Sequence, residues 1–113
     1  MIWRYRITGV LRAEGSGEPL QGLVVRGFDQ DLLFDDPLGE ARSDAAGRFA
    51  IEFTDEAFRS VVDTHPDVYL RVFDASGTRE LLCTKQRVRR SAGAEEYFEL
   101  VIPEERLRSA GTG

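Results

Sequence analysis

Residues 22–53, GLVVRGFDQDLLFDDPLGEARSDAAGRFAIEF, decide the fold of this chain. Two apolar runs lie on either side of an acidic loop, and the turn sequence SDAAG precedes the second run. In that turn Asp44 can bond its own backbone and Gly47 can take a positive φ. The sequence therefore predicts a short strand at 38–42, a tight turn, and a hairpin partner in which Phe49, Ile51 and Phe53 share one face.

The segment before this stretch alternates in hydrophobicity with period two, which is the pattern of a strand with one buried face. The inward positions are Trp3, Tyr5, Ile7, Gly9 and Leu11. We expect Trp3 and Tyr5 to be core residues, with an exposed aromatic binding platform as the alternative. The segment EGSGEPLQG, which combines Gly, Ser and Pro, predicts the turn that leads into a second strand at 23–28.

The segment after the stretch predicts one short helix and further strands. Thr54 can cap a helix at about 54–62, whose apolar face would hold Phe58, Val61 and Val62 and which would stop before Pro66. Strands follow at 68–73, 79–88 and 97–102, the first two joined by the turn DASG. The whole pattern predicts an all-β fold, an antiparallel β-sandwich of about seven or eight strands with Greek-key connections. We expect a single domain at 1–105 and a frayed tail at 106–113.

Composition limits the class of protein. The 113 residues are 42% apolar and 31% charged, which is typical of a soluble globular domain, and no apolar run approaches the ~20 residues of a membrane span. The arginines in IWRYRITG interrupt any signal-peptide core, and the single Cys83 excludes an internal disulfide. We therefore expect a cytoplasmic protein, or one exported by a specialised secretion machine, without membrane contact. The net charge of −5 argues against nucleic acid as a partner.

Three motifs in the first half of the chain resemble those of transthyretin-like and carboxypeptidase-regulatory-like sandwich domains. They are ITGVL, GEPLQGLVV and SDAAGRFAI, and they cover residues 7–51. Domains of this kind commonly carry G-x-V, then G-x-P-L-x-G-x-x-V, then T-D-x-x-G-x-F. The resemblance implies a transthyretin-like (prealbumin-like) sandwich that serves as a non-catalytic accessory domain, attached to peptidases, receptors, toxins or secretion-machine spikes.

Two enzymes with related sandwiches provide patterns to compare. The pattern of 5-hydroxyisourate hydrolase includes several histidines and a C-terminal Y-R-G-S, whereas this chain has only His65 and ends in SAGTG. Intradiol dioxygenases need paired Tyr and His iron ligands, which one histidine cannot supply. We therefore predict that the chain is not an enzyme and carries no catalytic or cofactor-binding residues.

The acidic loop offers a candidate calcium site. Hard cations take six to eight oxygen ligands, and loops at a sandwich end bring carboxylates together. The candidate ligands are Asp29, Asp31, Asp35, Asp36 and Asp74, with Glu40 nearby. Asp74 would join from the end of strand 68–73, in the manner of C2-type sandwiches. The competing interpretation is that these aspartates form turns and a solvated acidic rim.

Three further features have both a structural and a functional interpretation. Lys85, Arg87 and Arg89 share a parity, so they predict a basic strand face that is either solvated or a site for an acidic partner. Cys83 lacks a CxxC partner and is predicted to be a buried thiol rather than a nucleophile. His65 has neither a second histidine nor a serine motif to work with, so we predict a structural role for it.

These observations predict an accessory or adaptor module that binds a protein partner. An open sandwich edge presents unpaired backbone groups, so an edge strand or the loops at one end can dock that partner. Self-association through the same edge would give a homodimer. The alternative is a calcium-dependent binding domain that uses the acidic loop 29–40.

Overall fold

The computed structural model describes residues 2–31, 34–58 and 65–109, and seven strands lie within them. The strands are β1 (Arg4–Ala13), β2 (Val24–Asp29), β3 (Asp36–Arg42), β4 (Arg48–Thr54), β5 (Val68–Phe73), β6 (Glu80–Cys83) and β7 (Glu95–Ile102). They form a three-stranded sheet of order β4-β1-β7 and a four-stranded sheet of order β3-β2-β5-β6. The predicted all-β sandwich is therefore confirmed.

The hydrophobic core lies between the two sheets because each strand turns alternate apolar residues inward. The three-stranded sheet contributes Tyr5, Ile7, Leu11, Phe49, Ile51, Phe53, Phe98, Leu100 and Ile102. The four-stranded sheet contributes Val25, Leu38, Val68, Leu70, Val72 and Leu81. Among the described residues no helix has the length and apolarity needed to cross a bilayer.

The hairpin predicted around SDAAG is wrong, although the turn itself forms. Gly47 has φ +76°, and Oδ1 of Asp44 accepts hydrogen bonds from the amides of Ala46 and Arg48. However, β3 pairs with β2 and β4 pairs with β1, so the turn carries the chain from one sheet to the other. A tight turn reverses the chain without fixing the partner of each strand. Here the apolar faces of β3 and β4 meet across the core instead of lying side by side.

Two details of strand pairing also differ from expectation. The pairing is not wholly antiparallel, because β7 returns from the other sheet to run parallel to β1, from Arg6 opposite Glu95 to Ala13 opposite Ile102. In addition, β3 begins at Asp36 and so includes Pro37. An edge strand next to an irregular register tolerates the missing amide of proline. The acidic loop is consequently the tip of the β2–β3 hairpin.

The predicted strand at 79–88 ends early, at Cys83. The amide of Thr84 still donates to the carbonyl of Leu70 at 2.9 Å, but the amide of Leu70 donates to the side-chain oxygen of Thr84 at 2.9 Å, so a side chain takes over half of the next rung of the ladder. Residues Lys85–Arg87 then form a 3₁₀ turn. The predicted turn DASG does join β5 and β6 as an antiparallel hairpin.

The helical segments also differ from the predicted ones. Thr54 ends β4 rather than capping a helix, and a 3₁₀ turn at Asp55–Phe58 replaces the first part of the helix expected at 54–62. Phe58 is buried as predicted, whereas Val61 and Val62 lie outside the described residues. The tail expected to fray at 106–113 overlaps the α-helix α1, Glu104–Ser109. Its acidic residues lie in the first turn and its arginines in the last, which complements the helix dipole.

Candidate functional site

The acidic residues predicted to bind calcium do not gather at one point. Asp74 follows Phe73 at one end of β5, whereas Asp29 lies opposite Val68 at the other end. Asp74 is also occupied locally, since the Ser76 hydroxyl and nearby amides hydrogen-bond to it and lower its pKa. Across residues 2–31, 34–58 and 65–109, no group of three His, Cys, Asp or Glu side chains is placed to hold a metal ion.

Asp29 is buried and links two segments of the chain. The residue is only 4% exposed, and its Oδ1 accepts a hydrogen bond from the amide of Asp67 at 2.7 Å. Asp67 in turn accepts the amide of Ser91 at 2.9 Å and forms an ion pair with Arg90 at 3.5 Å. These bonds tie the end of β2 to the segments that precede β5 and β7, so Asp29 has a structural role.

Asp35 joins the acidic loop to the four-stranded sheet. Its Oδ2 accepts the Tyr69 hydroxyl at 2.5 Å and lies 2.9 Å from Nζ of Lys85, while Oδ1 accepts the amide of Asp31 at 3.0 Å. These bonds, that of Tyr69 first, lower the pKa of Asp35 to about 2. Burial, together with the hydrogen bond to Asp35, raises the pKa of Tyr69.

Tyr69 belongs to a layer of aromatic and cationic side chains on the outer face of this sheet. The rings of Phe28 and Tyr69 stack with centroids 5.4 Å apart. The Arg71 guanidinium lies 5.4 Å from the Phe28 centroid, and Nζ of Lys85 lies 5.4 Å from the Tyr69 centroid. The positive charges therefore cover the ring faces, an arrangement that stabilises both.

Two arginines face each other in the middle of the same layer. Arg26 on β2 is the register partner of Arg71 on β5. Glu40 lies 3.3 Å from Arg26 and Glu80 lies 3.4 Å from Arg71, so each cation is paired on its outer side. The sequence analysis did not predict this layer. Arg26 and Phe28 are two residues apart on β2, and Tyr69 and Arg71 are two residues apart on β5, so the sequence already placed each pair on one face of its strand.

The predicted basic strand face is wrong because the strand that would carry it ends before Lys85. Lys85 pairs with Asp35 of the acidic loop at 2.9 Å. Arg89 pairs with Glu96 at 2.9 Å, donates to the carbonyl of Tyr97 at 2.8 Å, and lies 3.8 Å from the centroid of the Phe98 ring. Lys85 and Arg89 therefore make structural contacts with different neighbours and do not form one basic surface.

The N-terminal aromatic residues have different fates. Tyr5 is buried as predicted, stacked on Phe53 at 5.1 Å, and its hydroxyl lies 3.4 Å from Nδ1 of His65. Trp3 is 56% exposed, so its assignment to the core is wrong. Strand β1 begins only at Arg4, and Trp3 lies just before it, with its carbonyl accepting the amide of Asp55 at 3.1 Å.

Cys83 is half-buried rather than fully buried as predicted. It ends β6, which is an edge strand paired only with β5 in the described part of the chain. One side of the strand is therefore left open.

Strand β7 is an edge of the three-stranded sheet, with β1 as its only strand neighbour among the described residues. The amides of Arg6, on β1, and of Glu14, just after it, donate to the carbonyls of Ala94 and Ile102. The N–H and C=O groups of the even-numbered residues of β7 therefore face β1. The groups of Glu95, Tyr97, Glu99 and Val101 therefore point away from β1. Arg89 confirms this direction, because it reaches the Tyr97 carbonyl from outside.

The fold and these sites define the class of the chain as an all-β sandwich domain. No protein-family model and no curated protein matches the sequence. A 9R-lipoxygenase from Cyanothece PCC8801 has a similar structure, with TM-score 0.65, 23% identity, and coverage of 88% of this chain and 16% of that chain. The dioxygenase domain of a dioxygenase carbohydrate-binding protein fusion from Streptomyces sp. SirexAA-E gives TM-score 0.54 and 15% identity, covering 89% and 80%. Chlorocatechol 1,2-dioxygenase from Pseudomonas putida gives TM-score 0.50 and 13% identity, and the likeness covers 90% of this chain and 61% of that chain.

These likenesses correct the prediction that the chain is not an enzyme. The three solved structures are a lipoxygenase and two dioxygenases, so similar sandwiches occur in enzymes. At 13% to 23% identity the likeness shows the fold alone and assigns no reaction to this chain. None of the three is described as transthyretin-like, so that resemblance stays a prediction.

An iron site built from paired tyrosines and histidines does not fit the residues of this chain. The sequence has one histidine, His65, and the tyrosine beside it is Tyr5. Tyr69 lies on the outer face of the other sheet, bonded to Asp35, and Tyr97 lies on the exposed edge strand β7. The donors that such a site would need are therefore dispersed over both sheets.

Proposed function

We propose that the chain is an interaction domain that docks a protein partner along the free edge of β7. The observation that carries the proposal is the row of outward-facing peptide groups at Glu95, Tyr97, Glu99 and Val101. An extended segment of the partner can add to such a row as a further strand. Main-chain hydrogen bonds then supply affinity, and alternate side chains supply specificity.

The side chains of this edge define the segment that fits it. Tyr97 and Val101 are 54% and 51% exposed, and the exposed Glu99 lies between them. A matching segment places apolar side chains beside Tyr97 and Val101 and a lysine or arginine beside Glu99. Because Arg89 caps the Tyr97 carbonyl, we centre the added strand on Glu99 and Val101.

The likeness to the lipoxygenase supports an accessory or adaptor role for the domain. The chain spans 16% of the length of the lipoxygenase, so the similar sandwich there is a small part of a much larger protein. By that analogy, the partner proposed here is a larger protein. The resemblance of residues 7–51 to transthyretin-like and carboxypeptidase-regulatory-like domains supports the same role. The compartment we propose remains the cytoplasm, or the exterior through a specialised secretion machine.

Site-specific photo-crosslinking tests this function. The crosslinking residue p-benzoylphenylalanine replaces Tyr97 in one variant and the exposed Ser76, on the β5–β6 turn, in a control. We expect a partner protein crosslinked from position 97 and not from position 76. Adding Val101→Pro, which removes an outward amide, should abolish the product, whereas Val101→Thr should preserve it.

Two results would contradict the proposal. The first is an equal yield of the same product from position 76, and the second is a product that persists with Val101→Pro. A product whose mass is that of two copies of this chain would make the edge a homodimer interface instead of a site for another protein. Light scattering on the purified chain would then report a dimer.

A further inference from the structure

A hollow of about 720 Å³ opens at the end of the three-stranded sheet where β1 begins. It forms because β7 starts opposite Arg6, so Arg4 and Tyr5 have a paired strand only on the β4 side. Ala94 and Glu95, at the start of β7, form the opposite wall. The volume lies within the range of small-molecule sites, roughly 300–1,000 Å³.

Two arginines and two glutamates line this hollow: Arg4, Arg6, Glu52 and Glu95. Arg6 lies 3.6 Å from Glu52 and is the register partner of Glu95 on β7. Arg4 is the register partner of Thr54, and it makes no ion pair or side-chain hydrogen bond with the residues that the structure describes. One guanidinium group on the wall of the hollow is therefore available to an anion.

The rest of the wall suits an apolar group. Ile2, which is 57% exposed, and Phe53, which is stacked on Tyr5, both line the hollow. A guanidinium binds a carboxylate through two parallel N–H bonds, and exposed apolar surface gains from being covered. We propose that this hollow binds a small organic carboxylate, with the carboxylate on Arg4 and an alkyl or aryl body against Ile2 and Phe53.

This site is independent of the docking function proposed above. Both sites include Glu95 at the start of β7, but the carboxylate is assigned to Arg4 on β1, whereas the added strand is centred on Glu99 and Val101. Carboxylate binding can therefore be lost while partner docking is still measurable, and the reverse.

Trp3 provides a built-in reporter for the test. It is the single tryptophan of the chain, it is half-exposed, and it lies between Ile2 and Arg4 in sequence. We would titrate the intact chain with sodium octanoate, following Trp3 emission and the heat of binding, with sodium chloride at matched ionic strength as a blank. We expect a saturable change with octanoate and about tenfold weaker binding of the uncharged octanamide, a ratio that corresponds to about 1.4 kcal/mol.

Matched variants assign the carboxylate to one arginine. Arg4→Gln should weaken octanoate binding about tenfold, whereas Arg12→Gln, the same charge change at an exposed position of the same strand, should leave it within about twofold. Ala94→Trp, which fills the hollow from the opposite wall without touching Arg4, should also abolish binding. Circular dichroism would check that all three variants are folded.

Three outcomes would overturn the proposal. They are the absence of saturable binding by the wild-type chain, equal affinity for octanoate and octanamide, and equal affinity of the wild-type chain and the folded Arg4→Gln variant for octanoate. The last two would show that no carboxylate is recognised at Arg4, even if an apolar ligand enters the hollow.

Discussion

The hydroxyl of Tyr69 donates a hydrogen bond to Oδ2 of Asp35 at 2.5 Å, which joins the middle of the four-stranded sheet to the tip of the β2–β3 hairpin. Tyr69 is almost fully buried although it lies on the outer face, because Phe28, Lys85 and the acidic loop cover it. Asp35 also accepts hydrogen bonds from Nζ of Lys85 and from the amide of Asp31. A single carboxylate thus holds the acidic loop, and both of its oxygens accept hydrogen bonds from groups of the same chain.

Replacing Tyr69 with phenylalanine should lower the free energy of unfolding by about 2 kcal/mol, because the variant loses a hydrogen bond to a charged acceptor. Urea denaturation would measure the change. The control is Tyr97→Phe, which removes the same hydroxyl from a side chain that is 54% exposed. We expect that change to stay within about 0.5 kcal/mol. Equal effects of the two variants would show that the Tyr69 hydroxyl does not hold the loop.

The lowered pKa of Asp35 makes stability depend on acidic pH. The pKa falls from 3.8 to about 2 on folding, so the folded state binds this proton less readily than the unfolded state. The contribution to stability is therefore present above about pH 4 and is lost as the pH falls toward about 2. Its size is at most about 2 kcal/mol.

The variant Asp35→Asn should remove this part of the acid dependence. Unfolding free energies measured in urea at about pH 5 and about pH 2.5 give the dependence for each variant. Asp36→Asn, at the next position of the chain, is the matched control and should retain the wild-type difference between the two pH values. If Asp35→Asn also retained it, another group would be responsible for the acid sensitivity.

Gly9→Ala should destabilise the sandwich by about 3 kcal/mol or more, because a Cβ at this position has no space. It would lie 2.3 Å from the carbonyl oxygen of Phe98 and 2.6 Å from Cζ of Phe49. The first of these atoms belongs to the backbone of a paired strand and cannot rotate away. The control is Gly93→Ala, whose nearest neighbour would be a Glu96 carboxylate oxygen at 3.5 Å. A similar denaturation midpoint for both variants would contradict the close packing of β1 on β7.

Calcium in millimolar amounts should leave the melting temperature unchanged. A ligand that binds only the folded state must raise that temperature, so a thermal scan reports directly on binding. We expect no change because Asp29 and Asp35 already bind groups within the chain, and Asp74 lies at the other end of β5. The prediction would be contradicted if calcium raised the melting temperature of the wild-type chain but not that of the double variant Asp31→Asn, Asp36→Asn. That result would show that the acidic loop binds calcium.

The two D-x-x-G turns show how far the sequence predicts the fold. Asp44 and Asp74 each accept nearby amides, and Gly47 and Gly77 each have φ +76°, so both turns form as predicted. One joins the hairpin β5–β6, whereas the other crosses between sheets. Local sequence specifies the reversal of the chain. The choice of strand partner depends on which apolar faces meet in the core, and no local pattern records that.

The candidate sites were less predictable for the same reason. The sequence identified Asp35 as an acidic loop residue, but its partners Tyr69 and Lys85 lie 34 and 50 positions away. The free edge of β7 depends on its parallel pairing with β1, and the hollow at Arg4 depends on where that pairing starts. Period-two alternation indicates which residues face the core, but not which strand lies beside another.

Two proline variants test the pairing on which the docking proposal rests. Leu100→Pro should unfold the chain or cost more than about 3 kcal/mol, because its amide faces β1 and its side chain is buried. Val101→Pro should cost far less, about 1 kcal/mol, because the amide it removes faces outward and edge strands tolerate proline. Circular dichroism and urea denaturation would measure both. If Val101→Pro were as damaging as Leu100→Pro, the amide of Val101 would be part of the sheet, and the free edge would not be where a partner strand could add.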